Sequence, residues 1–165
     1  MIQAGLIESI VQAFLQDKPR YELVSVEIDT DNRIVVELDS YNGVDVDICA
    51  QLIRFIECKL DRDKEDFELE VGSVSLTAPF KTRMQYEKNV GHEVEVLTAE
   101  GEKVTGELVE AAEDSFSVDV VTMEKVEGKK HKQRTVNTRT WAYNDVRQTR
   151  YLMKSYPDRP KRSNN

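Results

Sequence analysis

The chain has 165 residues, of which 39% are apolar and 33% charged, and a net charge of −8, which is the composition of one large globular domain or two small ones. No apolar run approaches the ~18 residues that a helix needs to cross a bilayer, so no membrane-spanning helix is expected. Met1–Glu8 lacks the basic lead of a secretory signal, so the reading is a cytoplasmic protein.

Ile2, Leu6, Ile7, Ile10, Val11 and Phe14 recur at helical spacing and predict an amphipathic helix over 2–16, which Pro19 keeps from continuing. Leu23–Ile28 and Ile34–Leu38 read as strands, separated by the turn residues Asp29-Thr30-Asp31-Asn32. Val24, Val26 and Ile28 share one face of the first strand, and Ile34, Val36 and Leu38 one face of the second. Ile48, Cys49, Leu52, Ile53, Ile56 and Leu60 form a second helical stripe, with Asp45 or Asp47 as candidate cap. Asp66–Val71 alternates acidic and apolar residues, the pattern of a strand with one wet face. From Gly72 the residues turn to those of a connection. The order α-β-β-α-β predicts a two-layer α+β domain over 1–80.

Gln85–Asn89 reads as one short helical turn. His92–Thr98, Lys103–Glu110, Ser115–Val121, Thr135–Tyr143 and Val146–Leu152 follow as closely spaced strands, with hairpin connections at 99–102 and 111–114. Five such strands predict a small antiparallel barrel of the SH3-like (Sm-like) type over 81–153, with Gly106 allowing a sharp bend. At least one of Trp141 and Tyr143 belongs in its core. Met123–Arg134 is too polar for core and reads as the mobile tip of a long hairpin. Residues 154–165 carry two prolines and no period, which predicts a basic disordered tail.

No nucleophile elbow, zincin helix, Walker loop or dinucleotide fingerprint occurs in the sequence, and the reading is a non-enzyme with no metal and no cofactor. His92 and His131 have no partners at ligand spacing. Asp29, Asp31 and Asp39 flank turns and lack the oxygen run and the glycine of a calcium loop. Cys49 and Cys58 lie about 180° apart on one helix with about 13 Å of rise between them, too far to pair or to share a metal.

The charge is unevenly distributed. Residues 1–82 hold 8 Lys+Arg against 17 Asp+Glu, residues 83–124 hold 3 against 11, and residues 125–165 hold 12 against 3. An acidic body suits a basic protein, whereas Lys125, Lys129, Lys130, Lys132 and Arg134, with Arg139 just beyond, are candidate contacts to nucleic-acid phosphate. The basic stretch lacks interleaved Phe, Tyr or Trp residues to stack on bases.

Several segments together resemble a known family. They are Asp39-Ser40-x-x-Gly43-Val44 leading into the Cys49 helix, Leu60-Asp61, and Asp66–Val71. Ser73, Leu76, Pro79-Phe80, Tyr86, Gly91-x-x-Val94-x-Val96 and Gly106-x-Leu108 continue the match. The chain resembles the bacterial ribosome maturation factor RimP family over nearly its whole length. The junction residues Leu69, Glu70, Val71, Ser73, Leu76 and Pro79 fall in that family's signature segment. Val74 and Ser75 stand where the signature has proline and glycine, and Thr77-Ala78 replaces an aspartate-arginine pair, so any role of that pair does not carry over. The resemblance implies an α+β domain followed by an SH3-like barrel. It also implies a monomeric, non-enzymatic factor that binds the immature small (30S) ribosomal subunit through ribosomal protein uS12 and 16S rRNA. The alternative from the residues alone is a stand-alone Sm-like RNA-binding module, which would assemble as rings.

Overall fold

Ile7, Ile10, Val11 and Phe14 are spaced to share one face of helix α1 (Ala4–Leu15), and all four are buried. The computed structural model describes residues 1–125, 127–128 and 130–153. It divides into two compact units, Met1–Ser75 and Leu76–Asn165. Lys129 and the tail 154–165 lie outside the described residues.

In the first unit, α1 is followed by strands β1 (Tyr21–Ile28) and β2 (Arg33–Ser40), then helix α2 (Val46–Lys59) and strand β3 (Glu68–Ser73). Asp45 caps α2, its carboxylate accepting from the Ile48 amide at 2.9 Å. β1 and β2 pair antiparallel, whereas β2 and β3 run parallel, with Ile34 opposite Leu69 and Val36 opposite Val71. A parallel neighbour needs a crossover, which α2 and its flanking connections supply. Both helices and all three strands contribute to one core, in which Ile7, Ile34, Val36, Leu38, Leu52 and Ile56 are fully buried.

Two sequence expectations change here. The alternating face of β1 is not Val24, Val26 and Ile28. The register slips between Leu23 and Ser25, so Leu23 opposes Leu38, Val26 opposes Val36, and Val24 is the extra residue of a bulge. Leu23, Val26 and Ile28 pack on the core instead. The strand at the junction also does not stop at Val71. Gly72 and Ser73 stay in the ladder opposite Glu37 and Leu38, because main-chain pairing needs no side-chain alternation.

In the second unit, a short helix α3 (Arg83–Lys88) precedes five strands: β4 (Glu93–Thr98), β5 (Lys103–Ala111), β6 (Ser115–Lys125), β7 (Lys132–Ala142) and β8 (Val146–Tyr151). Thr82 and Gln85 close a capping box at the start of α3. The strands form one antiparallel sheet in the order β7-β6-β5-β4-β8. β4 to β7 meander, and β8 returns to the free side of β4. A Cβ on Gly106 would sit 2.2 Å from the Asp119 carbonyl oxygen, so this position admits only glycine where β5 and β6 approach.

The core of this unit is aromatic. Tyr86 packs against Phe80, Phe116 and Tyr143 with ring centroids 4.9, 4.7 and 4.8 Å away. Its hydroxyl donates to Thr149 Oγ1 at 2.9 Å, and burial pushes its ionisation upward. Trp141 and Tyr143 are both half-buried against this cluster.

Candidate nucleic-acid interface

Strand β6 pairs with β5 from Phe116 to Asp119, but its ladder with β7 continues to Lys125 and Lys132. Half of the segment expected as a mobile tip is therefore strand: Met123–Lys125 belong to β6 and Lys132–Arg134 to β7. The polar composition of these residues reflects exposure on both sides of a two-stranded ribbon, which leaves no buried face to impose an apolar alternation.

Directly opposed residues of an antiparallel pair share a face. Val121/Val136, Met123/Arg134 and Lys125/Lys132 therefore stand on one face of the ribbon, and Thr122/Thr135 and Glu124/Gln133 on the other. The second face is continuous with Phe116 and Val118, which are buried in the core. The first is the outer face. Val121 and Val136 are each 44% exposed there and Met123 is 54% exposed, beside the exposed Lys125, Lys132 and Arg134.

The structure thus brings together three of the six basic residues singled out in the sequence. Lys130 is exposed in the connection between the two strands. Arg139 is set apart on the opposite face. Its guanidinium lies 5.0 Å from the centroid of Trp141 and 3.3 Å from the Glu102 carboxylate. Among the described residues, no carboxylate forms an ion pair with Lys125, Lys130, Lys132 or Arg134. Lys125 and Lys132 oppose each other directly, an arrangement that costs stability in a bare ladder. Sequence reading found the cations but missed the apolar patch among them, because Val121, Met123 and Val136 join one face only through the register.

The junction residues have structural surroundings. Leu69 and Val71 pack on the first core. The Glu70 carboxylate accepts from Arg33 at 2.8 Å. Ser73 ends β3, Leu76 is 61% exposed and Pro79 is half-buried. Cys49 is half-buried, which pushes its thiol upward, and Cys58 is exposed; both are free. Among the described residues, no group of three His, Cys, Asp or Glu is placed to hold a metal ion, and no helix is long and apolar enough to cross a membrane.

Comparison with known proteins adds a separate line of information. A family model described as the RimP N-terminal domain matches residues 10–76. The chain is 43% identical over 148 residues to a ribosome maturation factor RimP of Porphyromonas gingivalis, which covers 90% of this chain and 97% of that protein. It is 30% identical over 137 residues to a ribosome maturation factor RimP of Flavobacterium psychrophilum, covering 83% and 88%. A third, from Christiangramia forsetii, is 33% identical over 112 residues, covering 68% and 72%.

Proposed function

The chain belongs to the ribosome maturation factor RimP family, and from that premise we propose that it is a non-enzymatic factor in ribosome assembly, one that binds the immature small (30S) subunit and promotes its maturation. The observation that carries this reading is the 43% identity to a ribosome maturation factor over 90% of the chain, a span that includes both units. The proposed partners are uS12 and 16S rRNA, met by a monomer in the cytoplasm. The charge division supports this pairing. The acidic residues 1–124 suit a basic ribosomal protein, and Lys125, Lys129, Lys130, Lys132, Arg134 and Arg139 are the proposed contacts to rRNA phosphate.

Within this reading the second unit is a small barrel of the SH3-like (Sm-like) type. The strand order and the close approach at Gly106, which suits a strongly bent sheet, support it. The junction residues Leu69, Glu70, Val71, Ser73, Leu76 and Pro79 have a structural role.

The test is co-sedimentation of the purified chain with immature small subunits, large subunits and mature ribosomes. Retention is expected on immature small subunits at low salt and is expected to fall as salt rises. Equal retention on large subunits, or none on immature small ones, overturns the reading.

A further inference from the structure

We propose that the β6–β7 ribbon is a one-sided arm whose outer face lies against double-helical RNA, with Lys125, Lys132 and Arg134 on phosphates and Val121, Met123 and Val136 on the sugar surface between them. The ribbon continues beyond its pairing with β5, the register collects the six side chains on one face, and all six are exposed there. From Val121 to Lys125 the strip is about 13 Å long. Its width is two strands, about 5 Å apart.

Three features choose the occupant. First, the cations carry no ion pair among the described residues, and two of them oppose each other in the ladder, so a polyanion is the complementary surface. Second, no Phe, Tyr or Trp stands between Val121 and Val136, and His131 lies in the connection and not in either strand, so the ribbon lacks a row of aromatic rings on which successive splayed bases could stack. Third, exposed aliphatic side chains beside cations suit a surface that is anionic at its rims and less polar between them. The wide, shallow minor groove of A-form RNA is such a surface, and it is recognised through shape, sugar hydroxyls and phosphates rather than base sequence. On the opposite face the outer part of the ribbon presents Thr122, Thr135, Glu124 and Gln133, with no cation or aliphatic side chain among them, and Arg139 lies further back, engaged with Trp141 and Glu102.

This proposal deepens the rRNA part of the ribosomal reading and rests on it for its setting. Its test uses the full chain and fluorescence anisotropy with an RNA duplex of about 16 base pairs and arbitrary sequence. The same strand unpaired is the comparison. The wild-type chain is expected to prefer the duplex, with affinity falling as salt rises. The variant Lys125→Ala/Lys132→Ala/Arg134→Ala is expected to bind about tenfold more weakly or worse, with a salt slope reduced by about 2 to 3. Met123→Ser/Val136→Thr should weaken binding with the slope unchanged. On the other face, Glu124→Gln/Gln133→Ala should change affinity by less than about twofold.

No duplex binding at low salt, a preference for the single strand, or equal losses from both faces overturns the proposal. The wild-type preference needs no variant to fold, and Trp141 fluorescence reports whether each variant keeps its sheet. Duplex binding without small-subunit retention removes the ribosomal reading alone. Subunit retention without duplex binding removes the arm proposal alone.

Discussion

Asn32 links three parts of the first unit. It sits at φ +58°, in the left-handed region that favours glycine and tolerates asparagine. Its amide group donates to Glu65 at 3.0 Å and to the Asp66 carbonyl at 3.2 Å, while its side-chain oxygen accepts from the Ile2 amide at 3.2 Å. Its own carbonyl accepts from the Glu68 amide. One side chain therefore ties the β1–β2 turn to the N-terminal segment and to the entry of β3. Replacing it with alanine removes the side-chain bonds and adds left-handed strain, for a loss of about 3 kcal/mol in urea unfolding followed by far-UV circular dichroism. Asn32→Gly loses the same bonds without the strain and is expected to cost about 1 kcal/mol less. Equal losses would mean that the turn relaxes away from its left-handed geometry.

At the scale of elements, the bulge in β1 is the clearest place where pattern and structure part. Alternation in the sequence puts Val24 on the core side, and the register puts Leu23 there. Leu23→Ala is accordingly expected to cost about 2 kcal/mol and Val24→Ala less than about 1 kcal/mol in the same measurement. The reverse ranking would contradict the bulge. Both helices of the first unit and all eight strands in outline are legible in the sequence, because the periods of Ile7–Phe14, Ile48–Ile56 and Ile34–Leu38 are set by burial, and the cap of α2 is narrowed there to Asp45 or Asp47, of which the structure uses Asp45. The bulge is not legible, since one inserted residue leaves an apolar run unbroken. The parallel pairing of β2 with β3 is not legible either, since alternation says which side is buried but not which neighbour is hydrogen-bonded. The candidate surface is half legible. The lysines stand out by composition, but their separation from Arg139 and their union with Met123 arise only from cross-strand register.

At the scale of the whole molecule, each unit has its own core, and the chain's single tryptophan, Trp141, lies in the second. Tryptophan fluorescence therefore follows the second unit alone. The first unit has an acid-sensitive component. Asp29 is held below the usual carboxylate range by the backbone amides of Arg33 and Asp31. Asp66 is held low by the backbone amide of Phe67 and by Arg62. In both, the folded state binds its proton less readily than the unfolded chain does. Their stabilisation is thus present above the unfolded value of about 3.9 and is lost as pH falls through the folded values. Asp29→Asn/Asp66→Asn should flatten the fall in first-unit stability between about pH 5 and pH 2, read by circular dichroism with the tryptophan signal as internal reference. An unchanged acid limb would assign that loss to other carboxylates.

The parallel β2–β3 pair also has a consequence in time. Synthesis delivers β1 and β2 first, and the two can pair at once across a short turn. The far edge of β2, carrying Ile34, Val36 and Leu38, has no strand beside it until Glu68–Ser73 has been made and α2 has carried the chain across. During that interval the nascent chain presents an unpaired apolar edge, the kind of surface that invites pairing with another chain. The last six residues of the first unit's sheet therefore close its most adhesive side, and a chain cut short of residue 68 would keep that side open.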